Sequence, residues 1–302
     1  MIAVAAKVDA PDMGLEPVRE RIERAFLDAC ILDVLALKPG NVGIHAAGHG
    51  MDVLDFVRSA RVAAPAIAAG ATCVGERISR AVAATHAEAG INTNLGIVLL
   101  AAPLVQAAYA VPAAPSQQAF CASLARVLSD LTVADAALAF EAIRLANPGG
   151  LGVATRHDVR EPARVSLLEA MREAAGRDSI ARQYVTAYAD IVETGLRRLS
   201  GARARGRDHR TAVTEVFLGF LSSHPDSHVQ RKFGPVEAEA LRCEAGAHLQ
   251  AAERANDAEE LLPALRAWDR DLKARGLNPG TSADLTVATL FWSLLLEQDL
   301  VG

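Results

Sequence analysis

What most constrains this chain is a period. Apolar residues recur at helical spacing almost from end to end. No run alternates β-branched with polar residues, and no Asn-Gly pair offers a hairpin turn. Residues 15–37 carry Val18, Ile22, Ala25, Phe26, Ala29, Leu32 and Leu35 on one helical stripe. Asp52 precedes a second such run through Ile67. Residues 115–128, 132–146, 179–199, 212–221, 236–252, 258–275 and 282–296 read as further helices.

The polar breaks, 38–50, 147–162 and the basic 197–210, are too short for interdomain linkers. The pattern therefore predicts an all-α fold, one multi-helix bundle over 1–302 with 1–14 a flexible N-terminus. Hydrophobic residues make up 51% and aromatics only 4%. The core must be built from Ala, Val, Leu and Ile, whose small side chains let helices approach closely.

Several function classes are disfavoured. A formal net charge of −5 argues against nucleic acid as the main partner. Cys30, Cys73, Cys121 and Cys243 are scattered with no CxxC pair, which speaks against a disulfide framework or thiolate zinc and for a reducing, cytoplasmic setting. Residues 1–8 lack the basic start and apolar stretch of a signal peptide. The apolar segment 95–114 is interrupted by Pro103, Gln106 and Pro112, so a buried core helix is expected rather than a membrane span.

Polar residues concentrate where helices begin or end. Lys38-Pro39-Gly40-Asn41 is followed by His45, His49 and Asp52. Gly40 permits close backbone approach and Lys38 supplies a point charge for phosphate, although Lys38 could equally serve a helix C-terminus and Asp52 an N-cap. Asn92-Thr93-Asn94-Leu95-Gly96 places more capping groups than one helix start needs, and free N–H groups there suit an anion.

Arg177-Asp178-Ser179 through Arg182 offers a magnesium ligand in Asp178 and a phosphate clamp in Arg182, or simply a cap paired with Arg182 across one turn. His224-Pro225-Asp226-Ser227-His228 with Arg231 suits a Mg²⁺–phosphate site better than structural zinc, with a capped short helix as the alternative. Asn278-Pro279-Gly280-Thr281-Ser282-Ala283-Asp284 has capping-box spacing from Thr281 to Asp284.

In this order the segments resemble the triphosphoribosyl-dephospho-CoA synthase family. Its Lys-Pro-Gly turn and Gly-Ala-His…Met-Asp segment read Lys38-Pro39-Gly40 and Gly48-His49-Gly50-Met51-Asp52. Its Asn-Thr-His-Lys-Gly reads Asn92 to Gly96, its Asp-Thr…Arg looks like Asp226-Ser227…Arg231, and its Asn-x-Ser-Pro-Gly-Gly-x-Ala-Asp looks like Asn278 to Asp284. Asn41-Val42-Gly43-Ile44 replaces the family's Leu-Val-Asp-Arg, and Asn94-Leu95 replaces its His-Lys pair. The centre looks like the branch of archaea and of bacteria with archaeal-type one-carbon cofactors.

The resemblance implies an all-helical fold with a central polar nucleotide pocket. It implies a transferase that moves a phosphorylated ribosyl group from ATP to a cofactor precursor with Mg²⁺. His49 and Asp52 would be catalytic. Lys38, Gly40, Asn92, Thr93, Asn94, Arg182, Arg231, Asn278, Gly280 and Ser282 would bind nucleotide and phosphate. Asp178, Asp226 and Asp284 would hold the metal. The expected partners are the nucleotide and the precursor, with no nucleic acid, no membrane and a homodimer left open. A kinase or ligase in methanopterin- or methanofuran-type biosynthesis, or a non-catalytic nucleotide-binding protein, is the alternative.

Overall fold

A computed structural model of the chain describes residues 16–44, 53–112, 115–149, 151–152, 154, 156–255 and 257–297. Among them there is no β-sheet. The helices are α1 (Glu16–Leu35), α2 (Val53–Ala68), α3 (Val74–Ala89), α4 (Leu95–Tyr109), α5 (Gln117–Ser129), α6 (Val133–Ala146), α7 (Leu167–Ala174) and α8 (Ser179–Thr186). They continue as α9 (Arg197–Ala204), α10 (His209–Ser223), α11 (Ser227–Phe233), α12 (Pro235–Arg254), α13 (Leu262–Ala274) and α14 (Gly280–Leu296). The all-α expectation holds. No helix among the described residues is long and apolar enough to cross a membrane.

Two helices are apolar on every side and so become the axis around which the others pack. In α4 every residue from Leu95 to Val105 is buried, and α14 is buried almost throughout. The polar residues inside α14 are made harmless locally. Thr286 and Thr289 are fully buried and donate to the carbonyls of Ser282 and Leu285, at 2.8 and 2.9 Å, one turn back.

Pro103 sits inside α4 and has no N–H for the carbonyl of Leu99. Tyr184 supplies that donor from α8, its hydroxyl 2.6 Å from the Leu99 oxygen, and the Tyr188 hydroxyl adds a bond to the next carbonyl, Leu100, at 2.8 Å. This explains where the expected 179–199 helix departs from a continuous one. Ala187 and Tyr188 both take left-handed backbone conformations, φ 50° and 65°. The helix stops at Thr186 and resumes as a π-helical stretch, Ile191–Leu196, before α9. The reversal turns Tyr188 into the core.

The basic run 197–210, expected as a break between helices, is largely helical. Its first half is α9, and Arg205 and Arg207 both pair with the buried Glu215 of α10. The expected helix 258–275 begins as a 3-10 turn, Ala258–Leu261, before α13. Helices α3 and α7 had no counterpart in the sequence reading.

Candidate active site

Two proline–glycine turns meet at the base of the site. In the first, Asn41 N donates to the Lys38 carbonyl at 2.9 Å, with Gly40 at φ 81°. That is the conformation a type II turn needs at its third position, and glycine takes it without penalty. A Cβ on Gly40 would lie 2.9 Å from Pro279 and 3.0 Å from the Leu277 carbonyl. In the second, Pro279 has φ −77° and ψ 63°, and Gly280 N donates to the Asn278 carbonyl at 2.8 Å, an inverse γ-turn.

The side chains then join the turns. Lys38 is 2% exposed, pairs with Asp33 of α1 and donates to Asn41 Oδ1 at 3.0 Å; Asn41 Nδ2 donates to Asn278 Oδ1 at 2.8 Å.

The helix starts interlock as well. Asp178 Oδ1 caps α8 by accepting from Ile180 N and Ala181 N at 2.9 and 3.0 Å, and its Oδ2 accepts from Arg231 of α11 at 2.7 Å. Ser179 N donates to Ser227 Oγ at 2.8 Å. Asp226 Oδ1 caps α11 through His228 N and Val229 N, and its Oδ2 accepts both Ser282 N and Ser282 Oγ at 2.8 Å. One carboxylate thus caps two helices. The Thr281–Asp284 capping box does not form: Thr281 lies within α14, and Asp226 takes the Ser282 N–H from outside the helix.

Above these contacts lies a cavity of about 430 Å³. Its floor is acidic. Asp33 is 5% exposed, and its Oδ1 is buried with no hydrogen-bond partner among the described residues. Asp284 faces the same space with no hydrogen bond among the described residues. Burial, then the charges of Asp226 and Asp33, raise its carboxyl well above the usual range. Burial likewise raises Asp33, against the opposing pull of the Lys38 ammonium. Gly96, at the start of α4, makes room for Asp284, since a Cβ there would fall 2.0 Å from its Oδ2.

Three arginines also line it beside acidic neighbours: the exposed Arg156 lies 3.9 Å from Glu173, Arg177 is exposed, and the half-buried Arg231, paired with Asp178, keeps a buried Nε without a partner among the described residues. Phe140 and Ile143 of α6 and Leu167 and Met171 of α7 form an apolar wall.

Of the residues singled out in the sequence, Asn41, Asn92, Thr93, Gly96, Arg177, Asp178, His228, Arg231, Asn278, Gly280 and Asp284 line this one cavity. Lys38, Gly40, Asp226 and Ser282 support it from behind. Asn92 Oδ1 accepts from Leu95 N at 3.1 Å, Thr93 donates to Ser59 at 2.6 Å, and Asn94 is buried with its Nδ2 unpartnered among the described residues. Arg182 is not drawn in: it pairs with Asp190 at 2.6 Å rather than with Asp178. His45, His49 and Asp52 lie outside the described residues.

The model of the family CitG, ATP:dephospho-CoA triphosphoribosyl transferase, matches residues 19–301. The chain belongs to this family. Among solved structures it is similar to a protein of Archaeoglobus fulgidus provisionally assigned as a triphosphoribosyl-dephospho-CoA synthase. The two are 28% identical with a TM-score of 0.61, over 79% of this chain and 97% of that one. No curated protein matches the chain. Membership makes the protein a transferase of the triphosphoribosyl-dephospho-CoA synthase type.

Asp33, Arg156 and His157 of this transferase also line the cavity, and no pattern in the sequence marks them. Asp33 sits within the α1 stripe five residues before Lys38. A carboxylate there resembles a solvated helix residue until the turn at Pro39 folds Lys38 back onto it.

Proposed function

We infer that this transferase moves the triphosphoribosyl group of ATP onto a hydroxyl of dephospho-CoA or a related cofactor precursor, releasing adenine. One observation carries the reading: a single cavity brings the buried Asp33 and the half-buried Asp284 together with three arginines and an apolar wall. A nucleoside triphosphate has three matching parts, namely a flat apolar base, a sugar whose C1′ gains positive charge as the base leaves, and a polyanion.

In this arrangement Arg231, Arg177 and Arg156 take phosphate oxygens, with the unpartnered Arg231 Nε as a ready donor. Asn92 and Asn278 fix the sugar and the acceptor by hydrogen bonds. Asp284 takes the acceptor hydroxyl's proton or stabilises the oxocarbenium-like sugar.

Among the described residues no three His, Cys, Asp or Glu side chains gather to hold a metal. Magnesium, however, typically uses one or two carboxylates and completes its shell with phosphate and water. The buried, unpartnered Asp33 Oδ1 and the raised Asp284 fit that description. When bound there, Mg²⁺ would neutralise triphosphate charge. Asp178 and Asp226, whose oxygens already accept backbone and side-chain donors, are left to hold the helix starts in place.

The test is product analysis after incubation with ATP, Mg²⁺ and dephospho-CoA. Free adenine in step with ATP loss is the expected result. ADP or AMP in its place would show phosphoryl or nucleotidyl transfer and overturn the reading, as would binding without turnover.

A further inference from the structure

The segment between α6 and α7 carries a histidine that none of these roles uses. His157 holds a left-handed backbone, φ 51°. A residue with a Cβ keeps that conformation only when its surroundings enforce it, and such strain gathers at functional sites. Asp158 enforces it here. Its Oδ2 accepts from Ala154 N at 2.7 Å, its Oδ1 accepts from Arg160 N at 2.9 Å, and the Arg160 guanidinium grips both oxygens. Arg144, near the end of α6, donates to the Val159 carbonyl and ties the segment to that helix.

The imidazole so held lines the cavity, and its Nε2 is buried without a hydrogen-bond partner among the described residues. A buried polar atom left unpaired in a native fold calls for an explanation, and a ligand is one. The apolar wall of the same cavity narrows the choice. Phe140, Ile143, Leu167 and Met171 belong to the two helices from which the His157 segment springs. A purine presents apolar faces to such a wall and an edge of ring nitrogens to a polar group next to it.

We propose that His157 is the proton donor to the departing base, its Nε2–H meeting a ring nitrogen of the ATP purine. The proposal rests on the triphosphoribosyl transfer inferred above. In the step, the C1′–N9 bond breaks and its electron pair goes to the purine. The acceptor oxygen bonds to C1′ and gives up its proton to a carboxylate of the floor. The imidazolium proton passes to the purine, and the proton from the acceptor returns to the imidazole through solvent. Neutral adenine leaves and no proton is gained or lost overall.

His157→Asn tests this, because asparagine accepts a left-handed backbone and spares the fold. Adenine release is measured for wild type and variant on ATP, 7-deaza-ATP and 3-deaza-ATP, with melting curves as a check on folding. The variant is expected to lose roughly 10²-fold or more in kcat on ATP, the usual scale of general acid catalysis, with little change in KM. On whichever analogue lacks the accepting nitrogen, wild type should already be slow and the further loss small, because the two changes remove one interaction. Equal fold-losses on all three nucleotides would overturn the proposal. So would a raised KM with kcat intact, the mark of a phosphate contact.

A second readout separates this from the underlying reading. The imidazole proton resonance that disappears in His157→Asn should shift in wild type when adenine is added. An unshifted resonance in an enzyme that does release adenine overturns the donor role alone. A wild type that releases none overturns the transfer reading and the donor role with it.

Discussion

Asp284 binds its proton more tightly in the folded chain than in the unfolded one, because burial and the nearby Asp226 and Asp33 disfavour its ionised form. Above the ordinary carboxylate range the folded state therefore holds more protons than the unfolded state, and stability falls as pH rises. Asp284→Asn removes that cost while keeping the shape. Its melting temperature without ligand should exceed wild type at pH 7 to 8, the gain shrinking as pH falls towards 4, and most of the shift on adding Mg-ATP should be lost. Unchanged ligand shifts would deny the carboxylate its place at the nucleotide.

Asp226→Asn should act the opposite way. It turns an acceptor into a donor opposite Ser282 N–H, at a cost of about 1–3 kcal/mol in denaturant unfolding. Ser282→Ala, which spares the backbone bond, should cost less. The caps at Asp178 and Asp226 were legible as polar residues ahead of apolar runs. Their second partners were not: spacing favoured Arg182 for Asp178, and only tertiary packing hands Arg182 to Asp190 and Asp178 to Arg231.

Among the elements, α4 couples core to site. Its start faces the cavity through Gly96, and its middle depends on Tyr184 for the carbonyl that Pro103 leaves without a donor. Gly96→Ala places a methyl where the Asp284 carboxylate sits, so adenine release should fall by an order of magnitude or more, a fold-loss of the size that misplacing a catalytic group causes. Tyr184→Phe strands a buried carbonyl and should cost about 1–3 kcal/mol of stability, read by chemical denaturation. The apolar character of 95–109 was plain in the sequence, and so was its unsuitability as a membrane span. The break at Ala187 and Tyr188 was not, because neither residue is a glycine or proline and nothing local marks the turn. The surplus of capping groups at 92–94 lies at a helix start that opens on the cavity.

At the scale of the molecule, helical period alone carried the fold class, since α4 and α14 are too uniformly apolar to lie anywhere but the centre. The grouping of distant segments came from their order, and the turns at Gly40 and Pro279 show why that order matters. Each turn packs on the other, and through Asn41 and Asn278 they bring residues more than two hundred positions apart to one floor. Asp33 and His157 stayed hidden because a carboxylate in a helix stripe and a histidine in a glycine-rich break look like ordinary surface residues.

The most direct test of the account is the mass of the acceptor after reaction with ATP and Mg²⁺. Wild type should add a triphosphoribosyl group to dephospho-CoA, or to a related precursor hydroxyl, with one adenine released per acceptor modified. A folded Asp284→Asn variant should add little. An acceptor that gains only a phosphoryl or adenylyl group, or none while ATP is consumed, would contradict it.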